Sequence, residues 1–294
     1  MILVTGAAGL SGSIVIREFV RQQQPVRALV RDRTKANWLD QLPTVEVVEG
    51  DMLRPETLGA ALDGVDRTLM ISTSSPQMVD TQCTFIDACK AAGVPHVVKF
   101  SGAESGIGFD PANFSFFAMH EEIERYLERS GLAWTHLRPS QFMQVYFREV
   151  GTIVADDAFY LPMNDVRLSP VDIEDIAKVA VSVLGGGGHK GMRYDMTGPE
   201  ALTADDVAAH LSTAVGRTIR YVNITLEQFR ERLLAGGAPP GRADALGQLF
   251  AERQRHPDSR IYTGTHEAFG IQPTSFAEFA RRNAAVFRGE PVPA

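Results

Sequence analysis

Met1-Ile2-Leu3-Val4-Thr5-Gly6-Ala7-Ala8-Gly9-Leu10-Ser11-Gly12 opens the chain and decides how the rest is read. Ile2–Thr5 is short, apolar and closed by glycine, which predicts a strand. Ile14, Val15, Phe19 and Val20 then fall at helical spacing as far as Gln24-Pro25, which predicts an amphipathic helix. A glycine string is a weak signal alone, but here it ends a strand and opens a helix. Gly6 permits the tight turn, Gly9 removes a side chain where backbone would approach a pyrophosphate, and Gly12 lets helix and strand pack closely. The backbone around Ala8, Leu10 and Ser11, at the positive end of the helix, is then placed to meet phosphates.

Outward from this loop, strands and helices alternate. Val26–Val30, Val45–Val48, Arg67–Ser72, His96–Phe100 and Ala133–Leu137 are expected strands. Between them, Thr34 is expected to cap a short helix through Trp38-Leu39, and Pro55 to start one running to Leu62. Val79–Ala92 and Phe116–Ser130 complete the set. Such alternation predicts a parallel sheet covered by helices on both faces, with right-handed crossovers. The second half is less regular. Helices are expected from Asp172 to about Leu184, from Thr203 to about Val215, and over Thr225–Leu234, Ala243–Gln254 and Ser275–Phe287. Met192–Met196 and Ile219–Val222 read as strands, and Gly236–Gly241 as a loop.

The end of the second strand bears on the cofactor. A site for NAD places a carboxylate there, for the adenine ribose hydroxyls. This chain has Val30-Arg31-Asp32-Arg33 with Lys35 close behind, and Arg31 holds the carboxylate's position. A guanidinium matches a phosphate with paired hydrogen bonds, so NADP(H) is favoured over NAD(H). Asp32, one residue on, leaves NAD(H) open. Gly50-Asp51-Met52 is placed to edge the adenine, unless Asp51 simply caps the following turn. Thr73, beyond the fourth strand, is counted with the cofactor contacts.

Composition sets the boundaries. The 294 residues allow one large or two small domains, and 44% apolar with 22% charged residues is ordinary globular usage. A net charge of −7 argues against nucleic-acid binding. Cys83 and Cys89 are too few for a disulfide framework and lack metal spacing. No run of about 18 apolar residues exists, so no membrane span is expected, and the opening strand leaves no signal peptide. The expectation is a cytoplasmic protein.

The glycine spacing, Val30-Arg31, Gly50-Asp51 before Leu58, and Leu62-Asp63-Gly64-Val65-Asp66 together resemble the NmrA-like branch of the atypical short-chain dehydrogenases. The stretch from His120 through Glu124, Leu127, Ser130-Gly131-Leu132, Thr135 and Leu137-Arg138-Pro139 to Phe142-Met143-Gln144 is the stronger match. Val171-Asp172 and Asp175-Ile176-Ala177 fit a later turn of that family, and the resemblance is loose after Gly198. It implies a Rossmann-type doubly wound sheet, a nicotinamide cofactor across the strand ends, and a small C-terminal α/β substrate region. The corresponding domains are residues 1–155, with the sheet completed by part of 165–200, and 156–294. Its members include quinone, azo-dye and triphenylmethane-dye reductases and iminium reductases, and also regulators that bind the dinucleotide without turning it over.

The reactive centre departs from the wider superfamily, which uses a Tyr with Lys four residues later and a Ser near the fifth strand. Ser101 follows the fifth strand, and register from it puts Phe116 at the tyrosine and His120 at the lysine. Phe116 cannot donate a proton. His120 is the best polar candidate, as an acid or as a group that only hydrogen-bonds the nicotinamide ribose. Glu124, one turn on, is expected to orient its ring or raise its pKa. His120, Glu121 and Glu124 make only half a zinc helix, so no metal is expected. Phe109–Met119 and Phe142–Met163 are rich in Phe, Tyr and Met. Phe116, Phe142, Met143 and Tyr146 are therefore candidates to contact a flat, apolar substrate, against the alternative of ordinary packing. The expected function is hydride transfer from NADPH to a quinone, azo, iminium or related conjugated electrophile. A non-catalytic NADP(H) sensor acting through a protein partner is the rival, and a homodimer is left open.

Overall fold

The computed structural model describes residues 1–102, 110 and 112–290. Phe109, at the start of the first aromatic stretch, lies outside the described residues. In chain order the elements are β1 Ile2–Val4, α1 Leu10–Arg21, β2 Val26–Val30, β3 Val45–Glu49, α2 Gly59–Leu62, β4 Arg67–Met70 and α3 Met78–Ala91. There follow β5 His96–Phe100, α4 Ser115–Arg129, β6 Ala133–Pro139, α5 Val150–Asp156, β7 Ala158–Leu161, α6 Ile173–Gly185 and β8 Met192–Met196. The chain ends with α7 Ala204–Val215, β9 Arg220–Asn223, α8 Leu226–Ala235, α9 Pro240–Arg255, α10 Gly264–Ala268, α11 Phe276–Arg282 and α12 Ala284–Phe287.

Seven strands form one sheet in the order β3-β2-β1-β4-β5-β6-β8. The five pairings from β3 to β6 are all parallel. The order reverses beside β1, between β2 on one side and β4 on the other, so the loop after β1 opens at a topological switch point. Strand residues alternate between two buried faces. Leu3, Leu29, Met70 and Val97 join Phe85, Ile86, Ile123 and Leu127 of α3 and α4 in one core. Val4, Ala28, Leu69 and Val98, each the next or previous residue, are equally buried on the other face. Burial on both faces is why apolar residues run consecutively along these strands, as in Ala28-Leu29-Val30 and Val97-Val98, rather than strictly alternating with polar ones.

The chain divides into two compact units. One holds the described residues up to Gly102, Ala118–Arg138 and Ile173–Asp195; the other holds those from 110 to 117, Pro139–Asp172 and 196–290. The second unit has its own two-stranded parallel sheet, β7 beside β9, in register from Ala158↔Arg220 to Leu161↔Asn223. Its core is aromatic: the Tyr146 ring lies 5.8 Å from Phe159 and 5.3 Å from Phe276, and Phe147 stacks on Phe279 at 5.5 Å. Both α7 and α8 start with reciprocal capping boxes, Thr203 with Asp206 and Thr225 with Gln228.

Several local expectations need correction. The turn after β2 is capped by Asp32, whose carboxylate accepts from the Thr34 N–H at 3.0 Å, so Thr34 is the capped residue and not the cap. The segment through Trp38 is two 3-10 turns, and Pro55–Thr57 is a third, ahead of the four-residue α2. Ser275–Phe287 is broken at Asn283 into α11 and α12. The 3-10 helix Met143–Glu149, α5 and β7 were not expected at all. Among the described residues no helix is long and apolar enough to cross a membrane.

Phe159 is fully buried in β7 and its ring also lies 5.6 Å from Tyr221 of β9. Phe159→Ala is expected to cost about 3–5 kcal/mol of stability, read as a lower urea midpoint with an unchanged slope. A loss under about 1 kcal/mol would mean that this small sheet is not what its core depends on.

Candidate active site

The loop after β1 is a backbone cradle. Gly6 has φ +58°, and a Cβ there would sit 2.9 Å from the Ile71 carbonyl oxygen. A Cβ on Gly12 would lie 2.1 Å from the Gly6 carbonyl oxygen, a distance no side chain tolerates. Gly9 donates its N–H to that same carbonyl at 2.9 Å and stands just ahead of α1 without a side-chain cap. The amides of Leu10, Ser11 and Gly12 have no intrahelical acceptor, as in any first turn. The first turn of α1 also carries no acidic residue. These features suit a pyrophosphate, which needs bare backbone donors and a positive helix end.

The basic turn after β2 sorts its charges by neighbour. Arg33 pairs with Asp40 at 2.6 Å and Lys35 with Asp32 at 3.3 Å. Hydrogen bonds from Thr34, then Lys35, hold the Asp32 carboxyl below its ordinary value. Arg31 is exposed and forms no ion pair among the described residues. Asp51 caps the next turn, its carboxylate accepting from the Leu53 N–H at 3.0 Å. Met52 is buried in the core shared with α3 and α4, and Thr73 is exposed beyond β4.

Ser101 and His120 lie in the same unit. The Ser101 N–H continues the ladder to the Leu137 carbonyl at 2.8 Å, while its hydroxyl is buried beside the Glu124 carboxylate without full hydrogen-bond geometry. His120 is buried on α4, and its Nδ1 lies 2.9 Å from Nζ of Lys99. Burial, and then the Lys99 charge, hold the imidazole well below its usual pKa, so it is neutral near pH 7. Glu124 does neither of the things expected of it. Its carboxylate is taken by Arg138, through Nε at 3.1 Å and through Nη2, and the His120 pKa moves down rather than up. Burial pushes Glu124 up, but the Arg138 hydrogen bonds and charge outweigh that and leave it lowered.

Lys99 and Gln82 were missed by the sequence reading. A signal existed: Lys99 interrupts His96-Val97-Val98-Lys99-Phe100, a strand buried along its whole length. Glu124, Glu128 and His136 bring ligand atoms within 4.8 Å of one another. Arg138 and Arg193 already pair with the two carboxylates, so this cluster is an ion-pair network.

The candidate substrate contacts belong to the second unit. Met143 and Tyr146 are 1% and 2% exposed and pack in its core. Phe116 and Phe142 are half-buried and keep surface to offer a ligand.

The NmrA-like family model matches residues 1–280. The chain is 38% identical over 288 residues to a NAD(P)H azoreductase of Xenophilus azovorans, covering 98% of this chain and 99% of that one. The structure of the Escherichia coli NADPH-dependent quinone oxidoreductase QOR2 with NADPH superposes with a TM-score of 0.82 at 28% identity, over 96% and 99% of the two chains. The Citrobacter sp. triphenylmethane reductase with NADP(H) shares the fold at a TM-score of 0.83 and 23% identity, over 97% and 100%. With a glycine cradle at the switch point of a parallel sheet and a family match across nearly its whole length, this chain belongs to the NmrA-like family.

Proposed function

We propose that this protein is an NADPH-dependent reductase of planar, conjugated electrophiles such as quinones, azo compounds or iminium ions. The reading is carried by one observation: His120, the best polar candidate for the reacting edge, is a buried, neutral imidazole held by an amine. Four residues earlier on α4, Phe116 stands where the superfamily has its tyrosine. A residue pair of this kind does not deliver a proton to an alkoxide. An acceptor that takes hydride at an electron-poor atom needs little proton donation at that step, so it suits such a site. The names of the azoreductase and quinone oxidoreductase relatives support the same substrate class and favour turnover over a sensor role.

The chain's own residues then have these parts. Gly6, Gly9 and Gly12 leave backbone donors free for the pyrophosphate. Arg31 pairs with the adenosine 2′-phosphate, the group that distinguishes NADP(H), because the other two cations of its turn are already engaged. Asp32 is committed to capping, which removes the one carboxylate that would have favoured NAD(H). His120 orients the nicotinamide ribose. Bound NADPH supplies the hydride.

The direct test is anaerobic mixing with NADPH and a panel of quinones, azo dyes and iminium salts, following the absorbance of reduced nicotinamide. Turnover of at least one class is expected; tight NADP(H) binding with no turnover of any would return the sensor reading. Arg31→Ala removes a charge-assisted hydrogen bond worth about 1.5–3 kcal/mol. NADPH affinity should fall about 10- to 150-fold, with NADH binding almost unchanged; equal losses for both would remove Arg31 from the phosphate. His120→Gln keeps a hydrogen-bonding side chain that cannot titrate. Turnover should fall less than about tenfold, against the 10²–10⁴-fold cost of a lost general acid. A hundredfold drop together with loss of a pH limb would make His120 the acid.

A further inference from the structure

Lys99 enters the reading above only as the amine beside His120, yet it is itself fully buried. In β5 it shares the parity of Val97, which points it toward α3 and α4. A core position of this kind is filled more cheaply by Leu or Met, since an amine must be desolvated. The amine donates to Oε1 of Gln82 at 3.0 Å and lies 2.9 Å from Nδ1 of His120. The Gln82 amide in turn donates to Oγ of Ser72 at 2.8 Å, next to Thr73 beyond β4. A continuous line of hydrogen bonds thus runs from the carboxyl edge of the sheet through the core to one nitrogen of His120. The other nitrogen, Nε2, meets Gly102, where a Cβ would sit only 2.6 Å away. The ring is therefore pinned at Nδ1 and presents Nε2 at the end of β5.

We propose that Lys99 is the positioning residue of this site: its ammonium donates to Nδ1 and so holds His120 as the tautomer that carries its proton on Nε2. An ammonium has no lone pair, so Nδ1 must be the acceptor and Nε2 the donor offered to a ligand. The proposal rests on the reading of His120 as the group that orients the ribose.

The sign of the pH dependence follows from what faces the amine. Burial is the largest influence and lowers the Lys99 pKa to about 7; Glu124 and the Cys83 thiol act upward, and Arg138 downward. Below about pH 7 the ammonium is present and the tautomer is fixed. Above it the neutral amine accepts as well as donates, and its hold on Nδ1 relaxes. His120 stays neutral throughout that range because its own pKa lies well below.

The test is long-range proton–nitrogen correlation of the imidazoles in ¹⁵N-labelled full-length protein, with His120 assigned from the signal lost in His120→Gln. At about pH 6 the wild type should show the Nε2-protonated pattern, drifting toward a mixture as the pH rises through the Lys99 titration. Lys99→Met should lose that preference and its pH dependence. Lys99→Arg should keep the preference and show no transition, since a guanidinium stays charged. An Nδ1-protonated pattern in the wild type at about pH 6 overturns the proposal, whether or not the variants fold. So does an unchanged pattern in folded Lys99→Met. The tautomer is read without turnover, so a failure of the reductase reading shows in the acceptor panel and a failure of the Lys99 reading shows here.

Discussion

The contact between the Gly6 carbonyl and the α carbon of Gly12 is the constraint from which the first unit is built. Helix α1 begins directly against the end of β1 because position 12 has no Cβ to strike that carbonyl. Once the helix starts there, its free amides face the point where the strand order reverses. Thr5 fixes the same point from the sheet side: its hydroxyl donates to the Ile71 carbonyl at 2.7 Å and accepts the Ile71 N–H at 2.8 Å. The ends of β1 and β4 are thereby locked together, and the loop between β1 and α1 has a rigid base. Rigid backbone donors need little reorganisation when an anion arrives, which is why this arrangement suits phosphates.

Charge in the same unit is organised by prior commitment. Most charged groups near the candidate site already have partners: Arg33 with Asp40, Lys35 with Asp32, and Arg138 with Glu124. A paired charge is a poor ligand for anything else, since recruiting it leaves its partner uncompensated. The groups with capacity to spare are then few, and they carry the functional reading: the exposed guanidinium of Arg31, the open amides of the loop, and Nε2 of His120. The second unit is built differently, from a dense aromatic core in which Tyr146, Phe159 and Phe276 meet edge to face.

Much of the first unit is legible in its sequence because its signals are local. Strand and helix alternation and glycine at a tight turn each depend on residues a few positions apart, as does the capping box of Thr203 with Asp206 in the second unit. The turn after β2 shows the limit of such reading: Asp32 and Thr34 can each cap, and which one does is decided by how the chain leaves the strand. β7 was invisible for a related reason. Ala158-Phe159-Tyr160-Leu161 is four residues long, and its pairing partner β9 lies some sixty residues away. A strand that short is specified by its partner more than by its own propensity.

The candidate site divides in the same way. The loop glycines and Arg31 could be named as candidates from spacing and the strand ends, and Ser101 and His120 from comparison with the family pattern. What the sequence alone could not decide is the state of each side chain. Glu124 stands one turn from His120 and looks like its partner, but Arg138 from the adjacent region of the sheet claims the carboxylate. Lys99, twenty-one positions before His120, becomes its partner because β5 and α4 bury the two against each other. Sequence fixes which groups are present and which face of an element they occupy. Protonation, tautomer and pairing depend on desolvation and on neighbours distant along the chain, and those exist only once the chain has folded.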